Sequence, residues 1–372
     1  MKICFLAAAN SIHSVRWIKY FAGKNEIIWI SFAEPILEAK DLISSEKGIR
    51  FFYMPFKKNI CLLFSVIFCF MKTRKIIKKE DSQILHSHSA GIYGLVSSLL
   101  KFHPFILTAW GSDVLISSNN YIRKKITRFI LNRADLITTD GYNAQEVMIK
   151  KLGVEKNKIR FIQFGVDIKK FFLEENSRKI NDLISLRSLE PVYNIETLIK
   201  AVNIIKKKID SIKCVIVGNG SEEEKLKKLA KKLNLEKNIN FLGKIEHYNL
   251  PKILNISKIY ISTSLSDSGL SMSTAEAMAS GLPVVISDFG DNKKWVKDNE
   301  NGFVVSVKNP KALAEKIVHL LGNSNLARQM GGNNQKLIEE KNNYYKEMEK
   351  MEKLYEGFTQ ILRPQEHSGI LA

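Results

Sequence analysis

Residues 259–288 read IYISTSLSDSGLSMSTAEAMASGLPVVISD, and this stretch predicts a strand, a loop, a helix and a second strand in succession. The apolar residues 259–262 are typical of a short buried strand, and Ser, Asp and Gly fill the loop at 264–271. An Ala- and Met-rich helix follows and ends at Gly281, after which Pro283 opens another apolar strand. Small polar residues thus stand at a helix entrance, where backbone N–H groups and the helix dipole favour phosphate oxygens.

Glu276 has two interpretations. Ser273 and Glu276 have the spacing of a capping box, in which the carboxylate only closes the N-terminus of the helix. Alternatively, the carboxylate accepts hydrogen bonds from paired ribose hydroxyls beside the phosphates, as an acidic residue does in dinucleotide-binding folds. The pattern alone favours capping, and the spacing does not choose between the two.

The segment STSLSDSGLSMSTAEAMASGLPVV (262–285) resembles the C-terminal signature of glycosyltransferase family 4, whose members are retaining enzymes with the two-domain GT-B fold. In that signature an acidic residue, seven intervening positions and a Glu contact the donor nucleotide sugar. Glu276 matches the second acid, and residues 281–284 match the tail that follows it. The resemblance extends over most of the chain.

The first acid of the signature is not matched directly. Ser268 stands eight positions before Glu276, with Asp267 one place away. The resemblance therefore implies either that Asp267 substitutes for the acid or that backbone and hydroxyl groups hold the sugar. The donor-binding residues that it implies in this loop are Asp267, Ser268, Gly269, Leu270 and Ser271.

Length and charge set wider bounds on the protein. A chain of 372 residues is long enough for two domains, and 45% hydrophobic with 26% charged residues describes a globular protein. Of the net charge of +19, residues 1–171 carry +14, from 27 Lys and Arg against 13 Asp and Glu. This asymmetry predicts an anionic partner for the first half, such as a membrane surface or an acidic substrate. No nucleic-acid motif accompanies the charge, and a lysine-rich composition is the competing explanation.

The cysteines and the apolar segments predict a location. Four cysteines without disulfide or metal-ligand spacing are typical of a reducing compartment, and no signal peptide precedes the first strand. The longest apolar run, residues 60–71, is too short to span a membrane. It predicts a buried helix, with a segment dipping into one leaflet as the alternative. We therefore expect a cytoplasmic protein, peripheral on the inner face of the membrane if the basic half binds lipid.

Apolar strands alternate with helices in both halves, which predicts an α/β protein with two Rossmann-like, doubly wound parallel sheets. The resemblance to GT-B enzymes implies that the two domains face a cleft and that a C-terminal helix crosses back to the first domain. The predicted domains are an acceptor-binding domain (1–170), a linker (171–182), a donor domain (183–345), and a crossing helix with a tail (346–372).

In the first half, two turns carry the candidate residues. Asn10 and Ser11 follow the first strand, where many family members place a Gly-Gly loop that contacts donor phosphates; here they could cap the next helix and present N–H groups. Trp110 replaces a His that contacts the transferred sugar in the family, so stacking on the sugar ring is expected. Asp113 is the candidate carboxylate near the sugar, with a helix N-cap as an equal alternative. These residues, Trp110 and Asp113, are the catalytic candidates.

Two further patterns of the first half are ambiguous. His86 and His88 lie on one side of a strand end; the resemblance favours substrate contact over a metal site, and structural hydrogen bonding is a third interpretation. Residues 121–133 form a basic amphipathic pattern with Ile122, Ile126, Phe129 and Ile130 on one face. A helix of this kind packs on a core more often than it lies on an anionic membrane.

In the second half, Arg187 follows the first strand of the donor domain. Family members carry a Lys-Gly pair six and seven positions later, and Arg and Lys together neutralise the donor diphosphate. Tyr193 and Asn194 occupy those places here. Diphosphate binding is therefore expected to depend on Arg187 and on the helix terminus near Ser271, with a surface ion pair as the alternative role of Arg187.

The resemblance implies a retaining glycosyltransferase, which we expect to be metal-independent. It would move a sugar from a nucleotide-sugar donor to a glycan or lipid-linked acceptor, in cell-surface polysaccharide synthesis. No Asp-x-Asp metal motif is present, so no metal and no cofactor is expected, the nucleotide sugar being a substrate. The alternatives are a GT-B sugar-nucleotide epimerase, and a non-catalytic protein that binds nucleotides or glycans. A dinucleotide dehydrogenase is disfavoured because no Gly-x-Gly-x-x-Gly follows the first strand.

Overall fold

The structure, a computed structural model, describes residues 1–56 and 62–362. The chain forms two compact units. Unit 1 contains residues 1–163 together with the C-terminal segment from Lys346, and unit 2 contains residues 164–345. Residues 60 and 61 of the predicted apolar run and the predicted tail at 363–372 lie outside the described residues.

Unit 1 is built on a parallel sheet of seven strands in the order β3-β2-β1-β4-β5-β6-β7. Its elements are β1 (Lys2–Leu6), α1 (Ile12–Ala22), β2 (Glu26–Ser31), α2 (Leu37–Ser45), β3 (Ile49–Tyr53), α3 (Leu62–Glu80), β4 (Ile84–His88), α4 (Ile92–Leu100), β5 (Phe105–Ala109), α5 (Ser112–Leu115), α6 (Tyr121–Arg133), β6 (Leu136–Thr139), α7 (Tyr142–Leu152) and β7 (Ile159–Phe161). Most strand residues are buried, as expected for a parallel sheet with helices on both faces. The strand order reverses between β1 and β4.

Unit 2 has a parallel sheet of six strands in the order β10-β9-β8-β11-β12-β13. Its elements are β8 (Asn181–Leu186), α8 (Ile195–Lys206), β9 (Cys214–Val217), α9 (Glu223–Lys232), β10 (Ile239–Gly243), α10 (Leu250–Asn255), β11 (Ser257–Ser262), α11 (Met272–Ala279), β12 (Val284–Ser287), α12 (Asn292–Trp295), β13 (Gly302–Val305), α13 (Pro310–Leu321) and α14 (Ser324–Lys341). Both sheets are doubly wound, as the sequence predicts.

The C-terminal helix α15 (Tyr344–Leu362) begins in unit 2 and packs on unit 1, which confirms the predicted crossing helix. Tyr355 is fully buried in unit 1, with its Oη 2.5 Å from Nδ1 of His86. The Glu347 carboxylate accepts a hydrogen bond from the backbone N–H of Gln163 (2.9 Å). Glu347 and Tyr355 are eight residues apart, so the two contacts lie on the same side of the helix.

The boundary between the units lies earlier than residue 170. Val166 and Phe171 are buried in the core of unit 2, so the segment predicted as the end of the first domain and as a linker packs with the second unit instead. The Val166 N–H donates to the Asn342 carbonyl (2.7 Å), and the Tyr344 N–H donates back to Val166 (3.0 Å). Gly165 allows this approach, because at φ 73° a Cβ would lie 2.2 Å from Cα of Tyr344.

Helix α11 ends as the sequence predicts. The Gly281 N–H donates to the Met278 carbonyl (3.0 Å), and the Leu282 N–H donates to the Ala277 carbonyl (3.1 Å). This pair of bonds is a Schellman motif, and it requires the left-handed backbone that Gly281 adopts at φ 72°.

In helices α3 and α6 the residues that are buried differ from those that the sequence predicts to be buried. On α3 the apolar residues of the predicted buried helix are largely exposed, and the packed face carries smaller residues such as Ser65 and Cys69. On α6 the buried residues are Thr127, Ile130 and Leu131, so only Ile130 of the predicted apolar face is buried. In both cases periodicity gave the helix but not the face that packs. Within the described residues, no helix is long and apolar enough to cross a bilayer.

Candidate functional site

The candidate donor site of unit 2 lies where its strand order reverses. Strands β8 and β11 are neighbours in the sheet, although their connections lead in opposite directions. Arg187 directly follows β8, and the loop 263–271 follows β11 and leads into α11. Ligands of doubly wound sheets bind at the carboxyl ends of the strands at such a point.

Arg187 is buried, with 9% of its surface exposed, and several groups of this site surround it. Its Nη1 donates to Oγ of Ser273 (3.3 Å), and its Nη2 donates to Oγ of Ser264 (3.3 Å) and to Oδ1 of Asp267 (2.5 Å). A guanidinium has five N–H donors, and among the described residues three of them are accepted. Arg187 is therefore not the surface ion pair of the alternative interpretation but a buried cation with donors to spare.

The charge of Arg187 is held by its neighbours. Burial works against the charged form, but the Asp267 carboxylate outweighs it, and the pKa of Arg187 lies above its ordinary value. The guanidinium carbon lies 4.4 Å from the ring centroid of Tyr193, in a cation–π contact. Tyr193 occupies the place where the family has Lys. A ring that packs on Arg187 therefore stands where the family has a second cation.

The loop before α11 places its residues at the helix entrance. Ser271 is the N-cap residue, but its hydroxyl lies 2.7 Å from that of Thr274 and makes no capping bond to a backbone amide. Leu270 is buried and anchors the loop, Gly269 adopts a left-handed backbone (φ 62°), and Ser268 lies between Gly269 and Asp267. N–H groups in the first turn of a helix lack intrahelical acceptors, so this end of α11 can receive phosphate oxygens.

The capping-box interpretation of Glu276 is wrong. Because α11 begins at Met272, Glu276 lies in the second turn, and Ser273 contacts Arg187 and Tyr260 instead. Glu276 is 3% exposed, and its Oε1 lies 2.7 Å from Nε2 of His247. The Glu276 carboxylate therefore does not cap α11 and instead pairs with His247.

His247 and Tyr193 are residues of this site that the sequence analysis did not predict. His247 lies in a short 3₁₀ turn after β10 and packs its ring against Phe171, with 5.2 Å between ring centroids. Its pairing with Glu276 joins positions 29 residues apart, so local spacing gives no signal for it. Tyr193 was recognisable only as a departure from the Lys-Gly pattern.

In unit 1, Asn10 and Ser11 follow β1. Ser11 is the N-cap of α1, and its Oγ accepts from the Ser14 N–H (3.5 Å). Asn10 is exposed in the turn before it. The structure thus assigns the capping role to Ser11 and gives no contact of Asn10 that identifies a ligand.

Trp110 lies in an aromatic cluster at the end of β5. Its ring is 5.0 Å from that of His88 and 5.9 Å from that of Trp17, both edge to face, and 6.0 Å from that of His13. His88 ends β4, beside the point where the strand order of unit 1 reverses. Trp110 is therefore placed where a ligand of unit 1 would bind, although its stacking on a sugar remains a prediction.

Asp113 has a different role from an N-cap, since Gly111 is the residue that precedes helix α5. The Oδ2 of Asp113 accepts a hydrogen bond from the backbone N–H of Ala90 (2.6 Å), which ties the loop after β4 to α5. Burial raises the pKa of Asp113, against the lowering effect of this bond. Asp113 follows Trp110 by three residues and contacts the loop after β4. Its contact with a sugar remains a prediction.

His86 and His88 are both buried, with ring centroids 4.8 Å apart. Nε2 of His86 lies 2.7 Å from the Thr108 hydroxyl, so with Tyr355 on the other nitrogen its ring is fully engaged in structural contacts. Nδ1 of His88 lies 3.1 Å from the Ser14 hydroxyl. For His86 the structural interpretation replaces substrate contact.

Burial keeps both imidazoles neutral. It lowers the pKa of His88 from 6.5 to about 3, with His13 adding to the effect, and lowers the pKa of His86 well below its ordinary value, with His88 adding to the effect. Below pH 6.5 the unfolded chain binds protons that the folded chain excludes, so stability falls as the pH decreases from 6.5 towards 3.

We expect the free energy of unfolding to fall by about 2 kcal/mol between pH 6.5 and pH 5 from His88 alone, with a further decrease from His86. Urea unfolding at both pH values measures this change. In His88→Gln the decrease should be smaller, whereas His319→Gln, which changes an exposed histidine, should leave it as in the wild type. An equal pH dependence in wild type and His88→Gln would contradict the assignment.

Among residues 1–56 and 62–362, no group of three or more His, Cys, Asp or Glu side chains is arranged to hold a metal ion. The described cysteines Cys4, Cys69 and Cys214 are buried thiols.

Two family models match the chain and together span most of it. Residues 166–337 match the model of glycosyl transferases group 1, and residues 2–141 match that of glycosyl transferase 4-like proteins. The first match contains Arg187, the loop after β11 and Glu276. The chain therefore belongs to the group 1 glycosyltransferases, which are enzymes of glycosyl transfer, and this confirms the resemblance seen in residues 262–285.

Individual relatives and solved structures agree with this family. An uncharacterized glycosyltransferase of Methanocaldococcus jannaschii is 29% identical over 241 residues, which are 63% of this chain and 61% of that protein. The UDP-Gal:alpha-D-GlcNAc-diphosphoundecaprenol alpha-1,3-galactosyltransferase of Escherichia coli is 26% identical over 74% of this chain and 76% of its own. The structure of Anabaena HepE in complex with UDP superimposes with a TM-score of 0.80 at 17% identity, covering 96% of this chain and all of the other. The fold is GT-B.

Proposed function

We propose that the protein transfers a sugar from a nucleoside diphosphate sugar, held by unit 2, to a glycan or lipid-linked acceptor, with retention of configuration and without a metal ion. The observation that carries the proposal is the buried Arg187 at the point of strand reversal. It lies beside a serine-rich helix entrance and is supported on one side by Asp267 and on the other by Tyr193.

The chemistry of this arrangement suits a leaving diphosphate. Two negative phosphates can accept hydrogen bonds from the guanidinium, which is planar and always charged, and from N–H groups at the start of α11. Charge that develops on the leaving group would be stabilised by groups already in place, which is the usual main source of enzymatic rate enhancement. No metal ion is required in this scheme, because Arg187 and the helix terminus supply the positive charge.

Glu276 would accept hydrogen bonds from the two ribose hydroxyls of the donor. His247 holds one of its oxygens, which leaves the other oxygen for the ligand. In unit 1, Trp110 and Asp113 would lie near the transferred sugar, and Asn10 and Ser11 near the phosphates. The positive charge of residues 1–171 supports an anionic acceptor such as a lipid diphosphate.

Relatives support the donor and acceptor classes. Anabaena HepE has structures in complex with UDP and with UDP-glucose, and the Escherichia coli relative is named for transfer to a diphosphoundecaprenol-linked sugar. We therefore propose a UDP-sugar as the first donor to test and cell-surface polysaccharide synthesis as the role.

The test is a panel of UDP-, GDP- and ADP-sugars, incubated with the protein with and without a bacterial lipid extract and with and without EDTA, and followed by mass spectrometry. We expect transfer that depends on acceptor and is insensitive to EDTA. Conversion of the sugar without acceptor would instead identify an epimerase. Tight nucleotide binding without transfer or hydrolysis for every donor and extract would identify a non-catalytic binding protein.

A further inference from the structure

The exposed face of α3 changes from apolar to basic along its length. In its first half the exposed side chains are Leu63, Phe64, Ile67, Phe68 and Met71, with Phe64 65% and Met71 63% exposed. In its second half the exposed side chains are Lys72, Arg74, Lys75, Lys78 and Lys79. We call these ten residues the α3 surface.

The apolar half of the α3 surface is not the core face of the helix. The buried side chains of α3 include Ser65, Val66, Cys69 and Ile77, and the exposed Phe64 and Phe68 are larger than each of them. A helix of a soluble domain normally shows the opposite distribution, and contiguous exposed apolar residues mark an interaction site. With the end of β3, where Tyr53 is also exposed, they line a groove of about 550 Å³.

We propose that the α3 surface docks unit 1 on an anionic lipid bilayer, with the apolar half in the headgroup and acyl boundary and the basic half against lipid phosphates. Three observations favour this occupant. The apolar residues continue directly into five cationic ones on the same face, so a single surface offers side chains for an apolar phase and charges for anionic headgroups. The ammonium of Lys72 lies 4.5 Å from the ring centroid of Phe68, so a basic group already folds over the apolar part. Unit 1 also carries most of the positive charge of the chain.

The same charges disfavour a second copy of this chain as the occupant. A symmetric dimer through the whole α3 surface would cover five cations of each copy, and this surface contains no carboxylate to pair with them, which costs desolvation without a compensating charge. A bilayer with anionic headgroups provides both an apolar phase and the opposite charge. This surface is distant in sequence from the donor residues of unit 2, so the proposal is independent of glycosyl transfer.

The experiment is flotation of the full-length protein with vesicles of phosphatidylcholine alone or with 30 mol% phosphatidylglycerol. We expect binding to the anionic vesicles that decreases in 0.5 M NaCl and is weak for phosphatidylcholine. Each Lys or Arg near an anionic surface changes partitioning on the order of fivefold. Phe64→Ser with Phe68→Ser should lower partitioning at least about tenfold, and Lys72→Glu with Lys75→Glu should lower it more.

Matched controls change exposed residues elsewhere. Leu37→Ser with Tyr248→Ser removes two exposed apolar side chains, and Lys231→Glu with Lys232→Glu makes the same change of net charge on α9. Both should bind vesicles as the wild type does. All variants should keep the same thermal shift with UDP, which separates this proposal from the donor site.

Three outcomes would overturn the proposal. The first is a wild type that does not bind anionic vesicles, and the second is equal loss of binding in the control variants. The third is a dimer in light scattering that the Phe64→Ser, Phe68→Ser variant abolishes, since this would make a second copy the occupant.

Discussion

Replacing Arg187 by Ala is expected to weaken the binding of UDP on the order of 100-fold while leaving the binding of uridine nearly unchanged. The guanidinium is the buried cation nearest the entrance of α11, and a hydrogen bond to a charged group contributes about 1.5–3 kcal/mol. Loss of two such bonds, each at the lower end of this range, costs about 3 kcal/mol, which corresponds to about two orders of magnitude in affinity. Isothermal titration with UDP and with uridine measures the ratio. A matched control is Arg328→Ala, which removes an exposed arginine of the same unit.

Arg187→Ala alone leaves the carboxylate of Asp267 buried without its partner, and breaking a buried pair costs about 3–5 kcal/mol of stability. The double variant Arg187→Ala, Asp267→Ala removes both charges and keeps the test valid if the single variant does not fold. We expect the double variant to bind UDP about 100-fold more weakly than the wild type, as is expected for Arg187→Ala. If it bound UDP as the wild type does, Arg187 would not be the diphosphate ligand.

Asp267→Asn is expected to change the affinity for UDP in the opposite direction from Arg187→Ala. In the structure the Asp267 carboxylate accepts from Nη2 of Arg187, so its negative charge would repel a diphosphate bound to the same guanidinium. Removing the negative charge should tighten the binding of UDP several-fold. Unchanged affinity of Asp267→Asn for UDP would contradict this effect of the Asp267 charge.

Much of the fold could be predicted because parallel strands in an α/β protein are continuous apolar runs. Helix α6 has the bounds of the predicted pattern at 121–133, and the stretch 259–288 forms the predicted strand, helix and strand as β11, α11 and β12. Periodicity was less informative about burial. A face of Ile and Phe residues looks the same whether it packs on a sheet or faces outward, so the exposed side of α3 could not be predicted.

The site was predictable where function is carried by residues adjacent in sequence. The loop 263–271 and α11 are one continuous segment, and Arg187 follows a strand that pairs with β11. Contacts that join distant segments were not predictable. The pairings of Glu276 with His247, of Arg187 with Asp267, and of His86 with Tyr355 arise only when strands and helices are assembled.

Glu276→Ala is expected to abolish the preference of the protein for a ribose with both hydroxyls. If the free oxygen of the carboxylate accepts hydrogen bonds from the 2′ and 3′ hydroxyls, the wild type should bind UDP about 10- to 100-fold more tightly than its 2′,3′-dideoxy analogue. The variant should bind both with similar, weak affinity. Titration of the two ligands measures the preference, and the exposed Glu300→Ala should retain it.

His247→Gln separates contact from positioning in the same assay. Nε2 of His247 lies 2.7 Å from Oε1 of Glu276. Alanine is a good helix former, so Glu276→Ala is expected to keep α11 folded, and His247→Gln changes a residue outside the sheet and its helices. Without the imidazole the carboxylate can rotate, and a partial loss of preference, on the order of a few-fold, should result. A full preference in Glu276→Ala would mean that the ribose lies elsewhere. Partial loss in His247→Gln with complete loss in Glu276→Ala would show that the histidine acts through the carboxylate, since a side chain that bound the ribose itself would not depend on Glu276.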